Sequence, residues 1–332
     1  MLELKPVRSL LQRRRFPFRF VYSDSYWMVD LGNHVFPIKK YRLIYERLLA
    51  VGVRKDNFLV PEPVSGQNLR LVHSDRYIRK IREGKLSQAE MLALEIPYCQ
   101  ECVDFALLTV GGTILAAEEA LESGLCIHIG GGFHHAFSGH GEGFCIFNDV
   151  AVALERMKRQ DRIQRAMVVD CDVHQGNGTA EIFADKDYVF TFSLHQMDIY
   201  PAEKSFSNQD VGLWSGDGDE AYLSALQDSF PRLYEMFRPD LVFYLAGADP
   251  FKGDQLGGLD LSLEGLRKRD LVVIEHARKA DLPLVIVLAG GYAFDIQDTV
   301  SIHMNTIDTA RHVERRKTSF FRRVRFRPAR TA

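Results

Sequence analysis

The sequence predicts a doubly wound α/β domain built on a mostly parallel sheet. Three observations carry that prediction. Short apolar runs rich in Val, Ile, Leu and Phe recur without polar alternation, as strands covered on both faces require. Stretches with helical periodicity separate them. Four of the runs lead directly into segments rich in Gly, His or Asp, as in open α/β sheets, whose ligands bind beyond the carboxyl ends of the strands.

Residues 18–22 form the first expected strand. The helix expected over 103–121 is apolar almost all round, which places it inside the fold. Strand 126–129 follows, then a helix over 148–159 with Asn148 or Asp149 as its cap. Strands 167–170 and 188–193, a helix over 220–237, strand 241–245, a helix over 263–279, strand 284–288 and a helix over 296–312 complete the alternation. Segments 60–68 and 200–219 read as loops: Pro61, Pro63 and Gly66 punctuate the first, and Pro201, Gly212, Gly216 and Gly218 the second. With no repeat and no long linker, the simplest division is one domain over 1–312 and a basic tail over 313–332.

The chain has 332 residues, 46% hydrophobic and 26% charged, enough to bury a large core and too apolar for disorder. A net charge of −2 argues against direct nucleic-acid binding. The basic residues concentrate at the end, where 311–332 holds nine Lys or Arg and one acid. That tail reads as a solvated end, with an acidic partner or membrane surface as the alternative. Five cysteines with one CxxC pair, Cys99 and Cys102, make neither a disulfide framework nor a structural zinc site, and fit unpaired thiols in a reducing compartment. No apolar core follows Arg13-Arg14-Arg15, so a secretory signal is not expected. No run reaches the ~18 apolar residues of a membrane span. The expected location is cytoplasmic, or nuclear in a eukaryote.

The chemistry lies just after the strands. Gly130-Gly131-Gly132-Phe133-His134-His135 follows 126–129, and Cys171-Asp172-Val173-His174-Gln175-Gly176-Asn177-Gly178 follows 167–170. Ala246-Gly247-Ala248-Asp249 follows 241–245, and Ala289-Gly290-Gly291-Tyr292 follows 284–288. Asp172 and His174, two apart, project to one side of an extended segment, and Asp249 adds a third ligand from another strand end. One His and two carboxylates leave an open position, as a catalytic Zn²⁺ requires; Fe²⁺ or Co²⁺ would also be accepted. Asp-x-His alone is equally a capping Asp beside a core His; three such groups at successive strand ends argue for the metal. His134 and His135 suit proton transfer near pH 7. Tyr292 could donate its O–H to a developing oxyanion, or be an ordinary buried Tyr. No Gly-x-Ser-x-Gly elbow and no Gly-x-x-x-x-Gly-Lys-Ser/Thr loop occurs. His128, His195 and His276 read as satisfied interior or surface histidines, and His34 and His73 are unassigned.

These blocks, with Gly143-Phe144-Cys145-Ile146-Phe147-Asn148-Asp149 and Ser193-Leu194-His195, resemble the zinc-dependent histone deacetylase superfamily in order and spacing from about 128 to 295. Weaker similarity reaches His34-Val35-Phe36-Pro37 and His73-Ser74-Asp75-Arg76-Tyr77. The resemblance implies a single-domain, arginase-like three-layer α/β fold with a central, mostly parallel eight-stranded sheet. It implies Zn²⁺ on Asp172, His174 and Asp249, His135 as general base and acid, His134 as its electrostatic partner, and Tyr292 as carbonyl polariser. Asp170 and Asn177 would stand behind these groups. Gly143, Phe144, Tyr200 and Leu256 would line a tunnel for an acyl-lysine stem. Asp170, Asp172, His174, Ser193 and Leu194 resemble the family's monovalent-cation site, which takes K⁺. The implied substrate is acyl-lysine in a protein or peptide.

Two departures matter. Many deacetylases of the main eukaryotic class have His-His-Gly-Asp-Gly where this chain has His174-Gln175-Gly176-Asn177-Gly178, a version similar to the class IV branch and its bacterial relatives. Asn177 cannot raise the pKa of His135 by charge but can orient its ring. The class IV branch includes enzymes that remove long fatty-acyl groups, so longer acyl chains stay open beside acetyl. Where some polyamine deacetylases carry a gatekeeping Glu, this chain has Leu256, which ranks acyl-lysine above acylpolyamine. A ureohydrolase would need a second metal and more Asp ligands. A non-catalytic acyl-lysine binder would be expected to lack a ligand or Tyr292.

Overall fold

The computed structural model describes residues 16–230 and 232–325. The Arg13–Arg15 run and the last seven residues of the basic tail lie outside the described residues. In chain order the elements are β1 (Arg19–Val21), α1 (Lys40–Ala50), β2 (Phe58–Leu59), α2 (Gly66–Leu69), α3 (Asp75–Glu83), α4 (Gln88–Leu94), α5 (Gln100–Ser123), β3 (Leu125–His128), α6 (Asp149–Arg159) and β4 (Ala166–Asp170). Then come α7 (Asn177–Phe183), β5 (Val189–Gln196), β6 (Gln209–Leu213), α8 (Asp219–Ser229), α9 (Leu233–Phe237), β7 (Leu241–Leu245), α10 (Leu263–Lys279), β8 (Leu284–Val287) and α11 (Ile296–Arg325).

The eight strands form one sheet in the order β2-β1-β3-β8-β7-β4-β5-β6, and every pairing is parallel. Parallel neighbours need crossovers, and the helices supply them on both faces. The expected eight-stranded α/β architecture is therefore observed. β3, β4, β7 and β8 are buried at every residue, which explains their unbroken apolar sequences.

The sequence misses two strands, both at the edges. β6 lies in the segment expected to be a loop; its first four residues alternate between half-buried and exposed, and Gln209, Asp210 and Gly212 hide the pairing. β2 is two residues long. The helix expected over 220–237 is two helices, α8 and α9. Pro231, between them, has no N–H with which to continue a helical ladder. α11 runs through position 312, where the sequence put the start of the tail. Val313 is buried and Glu314 pairs with Arg278, so the helix stays on the domain beyond that point.

α5 is the one described helix whose length and apolarity match a membrane span, and 61% of that stretch is buried within the fold. Cys99 caps it, its sulfur accepting from the Cys102 amide at 3.1 Å, and all five cysteines are free. The helix lies hard against the segment before α2: the Val64 amide donates to Leu107 O at 2.9 Å, and a Cβ on Gly111 would stand 1.9 Å from Glu62 O.

Because that obstacle is backbone, Gly111→Ala should destabilise the protein. Over-packing costs about 1–3 kcal/mol, and a clash this close belongs at the upper end. That exceeds the ~1 kcal/mol of helix propensity that Ala contributes. Urea unfolding checks it; a stability gain would mean that the helix does not sit this close.

Candidate active site

The site lies beyond the carboxyl ends of β3, β8, β7 and β4, four neighbouring strands at the centre of the sheet. The backbone ladder continues past the strands, with the Cys171 amide on Leu245 O and the Ala248 amide on Gly290 O, so three of the loops meet.

After β3 the chain turns through Gly131 (φ 71°) and Gly132 (φ 85°), a conformation that L side chains resist. A Cβ on Gly132 would lie 2.7 Å from the Ala289 Cβ. Asp149, at the start of α6, fixes this turn by accepting from the Gly132 and Phe133 amides at 3.0 and 2.7 Å. Thr113 of α5 donates to the same carboxylate at 2.5 Å. The next two residues, His134 and His135, are thereby delivered side by side, Nε2 to Nε2 at 3.1 Å.

Their environments push them apart. His134 Nδ1 donates to Asp170 Oδ2 at 2.7 Å. Burial opposes its protonation, but Asp170 and Asp172 outweigh that and raise its pKa to about 9. His135 Nδ1 meets the neutral Asn177, whose Oδ1 lies 2.7 Å away. Burial, with His134 and His174 adding to it, drives the His135 pKa well below the usual imidazole value. At neutral pH the pair is thus an imidazolium beside a neutral imidazole.

Asp172, His174 and Asp249 are all buried, and each offers a ligand atom within 4.8 Å of the others. The Gly290 amide donates to Asp172 Oδ2 at 2.9 Å, and the Val173 amide to Asp249 Oδ1 at 3.0 Å. These bonds aim the carboxylates while leaving Asp249 Oδ2 without a hydrogen bond. Burial, and Asp172 beside it, raise the Asp249 pKa to about 7. Burial also opposes charge on His174, yet Asp172 at 3.2 Å and Asp249 at 3.6 Å outweigh this and raise its pKa to about 10. Such a cluster could hold a metal ion, and its donors fit a divalent one with an open position. A Cβ on Gly290 would stand 2.0 Å from Asp249 Oδ2, so only glycine lets the backbone come this close.

Two buried cations brace the carboxylates from behind. Arg269 of α10 donates to the carbonyls of Cys171 (3.2 Å) and Gly247 (2.6 Å), just ahead of Asp172 and Asp249, and pairs with Asp270 at 2.8 Å. Lys40 of α1 donates to Ala289 O at 2.7 Å. Burial lowers its pKa to about 8, a drop that Asp249, Asp172 and Asp254 limit. Asp254 also accepts from the Tyr292 amide at 2.6 Å. Burial, with Asp172 and Asp249 near, holds the Tyr292 pKa well above the ordinary phenol value, so its hydroxyl keeps its proton.

A cleft of about 550 Å³ opens onto this cluster, lined by His135, His174 and Tyr292 inside and by Gly143, Phe144, Tyr200, Leu256 and Glu95 toward solvent. All four expected tunnel residues therefore share one cleft. Ser193 stands opposite Asp170 in the β4–β5 pairing, with Leu194 next to it, beside the loop of Asp172 and His174. Of the other histidines, His128 is interior, bonded to Tyr26 and Thr113, and His276 bonds Val272 O. His73 accepts from the Asn148 amide, and His34 bonds Glu95 O at 2.6 Å.

Sequence reasoning misses Lys40, Glu95, Glu142, Asp254 and Arg269. Lys40 follows Lys39, and Arg269 follows Arg267 and Lys268, so nothing local distinguishes either from its charged neighbours. Asp149 lies in a block noted for its resemblance, but its hold on the glycine turn has no local signal.

Residues 34–307 match the histone deacetylase domain. The chain is 40% identical over 297 residues to an uncharacterized protein of Picosynechococcus sp., covering 89% of this chain and 99% of that protein. It is 34% identical over 285 residues to histone deacetylase 2 of Arabidopsis thaliana, covering 82% and 74%. The crystal structure of the HDA15 HD domain superposes with a TM-score of 0.75 at 22% identity, over 89% of this chain and 90% of that one, and shares the fold. On the extent of the domain match and the identity to these relatives, the chain belongs to the histone deacetylase family.

Proposed function

We propose that this protein is a zinc-dependent lysine deacylase, removing acetyl or longer acyl groups from the ε-amino group of lysine in proteins or peptides. Membership of the histone deacetylase family supports deacetylase chemistry in general. The observation that carries the finer reading is that a metal-capable ligand, a neutral imidazole and an un-ionised phenol face one cleft: His174, His135 and Tyr292.

Asp172, His174 and Asp249 would hold the Zn²⁺, which when bound supplies Lewis acidity toward water and the amide carbonyl. The cleft admits the extended stem of an acyl-lysine between Phe144 and Tyr200 and excludes bulk water. His135 accepts the proton of the attacking water at Nε2 and later returns a proton to the leaving amine. His134, held cationic by Asp170, stabilises negative charge beside it. Tyr292 donates its O–H to the carbonyl oxygen as charge builds there. K⁺ would bind in the region of Asp170, Asp172, His174, Ser193 and Leu194.

A second reading has one observation in its favour. The apolar Leu256 offers nothing to a distant ammonium, but the exposed Glu95 sits on the same cleft. A carboxylate there would suit an acylated polyamine. The purified protein, with and without added zinc, should be tested on acetyl-, propionyl- and myristoyl-lysine peptides and on acetylated polyamines. The proposal expects zinc-dependent release of lysine peptide; turnover of polyamines alone would favour the second reading, and no turnover by zinc-loaded protein would reject both.

Five substitutions test the roles. Asp249→Ala or His174→Ala should abolish stoichiometric zinc, as measured by metal analysis, because each removes one of three ligands. Full occupancy in either variant would remove that residue from the ligand set. His135→Ala should keep zinc and lose about two to four orders of magnitude in kcat, with a smaller loss for His134→Ala. The reverse order would exchange their roles. Tyr292→Phe should lose roughly two to three orders of magnitude in kcat with substrate still bound, and unchanged turnover would refute the oxyanion contact.

A further inference from the structure

Glu142 lies between the two histidines and Phe144 in sequence and is half-buried, next to Gly143 of the cleft. Its Oε1 accepts from Asn177 Nδ2 at 2.6 Å and from the Tyr200 hydroxyl at 2.8 Å; His140 Nε2 lies 3.4 Å from Oε2. Burial opposes ionisation of this carboxyl, but the bonds from His140, Tyr200 and Asn177 outweigh it and hold its pKa below the ordinary Glu value. It is therefore a carboxylate at neutral pH, able only to accept.

This one-way chemistry propagates. An amide has a donor end and an acceptor end, and in isolation Asn177 could present either to His135. With Nδ2 committed to Glu142, Oδ1 must face His135 Nδ1, 2.7 Å away. An oxygen at that place requires His135 to carry its ring proton on Nδ1. The neutral ring then keeps its lone pair on Nε2, the nitrogen that faces His134.

We propose that Glu142 is a positioning residue: it fixes the orientation of the Asn177 amide and, through it, the His135 tautomer whose Nε2 is free to take a proton. This inference rests on the reading of His135 as proton acceptor. Without Glu142 the amide can turn over and present its NH₂ to Nδ1, in opposition to the His134 ring that meets His135 Nε2 at 3.1 Å; His135 then gives up either that contact or its Nδ1 proton, and with it the base at Nε2.

The test uses the full-length, zinc-loaded protein and two readouts. One is steady-state hydrolysis of an acetyl-lysine peptide. The other is two-bond ¹H–¹⁵N correlation of the ¹⁵N-labelled histidine rings, with His135 assigned by its loss in His135→Gln. Wild type should show the Nδ1–H tautomer at His135. Glu142→Ala, which removes the acceptor, should show the Nε2–H tautomer and lose roughly ten- to a hundredfold in kcat, the scale of a hydrogen bond to a charged group, with KM changed little. Glu142→Gln keeps an amide oxygen that can accept from Asn177 and should lose less. Asn177→Asp should also lose activity, because it sets a second carboxylate against Glu142. The double variant Glu142→Gln with Asn177→Asp should recover most of the wild-type kcat. In it the new amide at position 142 can donate to the new carboxylate at position 177, which still accepts from His135. A brace for the loop alone would not produce two damaging changes that cancel. Losses that multiply in the double variant, or an unchanged Nδ1–H tautomer in Glu142→Ala, would overturn the proposal. Failure of the wild type to hydrolyse any peptide would instead sink the functional reading, while the ring spectra would still decide the tautomer.

Discussion

Asp172 and Asp249 are two buried carboxylates brought together at the bottom of the cleft. Burying one unpaired charge is already costly, and burying two of like sign beside each other is worse. Much of the surrounding structure responds to that constraint. His174 stands beside both, its Nδ1 3.2 Å from Asp172 and 3.6 Å from Asp249. Arg269 and Lys40, both fully buried, bring positive charge to the backbone just behind the ligands. Backbone amides of Gly290 and Val173 point at the oxygens. The close approach of the Gly290 loop is part of the same answer, since any side chain there would collide with Asp249.

The sheet makes this concentration of charge possible to build, because it separates roles by position. Its apolar strands bury their side chains against helices on both faces, while their ends carry the polar groups. Residues far apart in the chain then meet without any long polar segment passing through the core. The opposite electrostatic fates of His134 and His135 follow from this placement: one ring reaches Asp170 at the end of β4, and the other reaches the amide of Asn177.

Much of the architecture was legible because burial leaves a mark on sequence. β3, β4, β7 and β8 are covered on both faces, so their apolar runs stand out, and Asp172, His174, Asp249, His134, His135 and Tyr292 follow them closely. β6 was not legible, because an edge strand half in solvent uses the same polar residues as a loop. The charged groups that support the site were hidden for a related reason. Arg269 stands in the run Arg267-Lys268-Arg269-Asp270, and only the packing of α10 distinguishes the buried member from its exposed neighbours. Glu142 lies in a short polar loop, and its meaning depends on Asn177, 35 positions away.

The contact between Glu142 and Asn177 is also a rule about inheritance. An acid and an amide fit together at 2.6 Å, whereas two acids do not. A lineage that exchanged the amide for a carboxylate, to give its histidine a charged partner, would first have to neutralise position 142 or move it away. The two sites should therefore change together among relatives, with acid at one position accompanied by a neutral residue at the other. The order of those changes would matter as much as their identity, because the path that passes through two facing acids leads through a damaged enzyme.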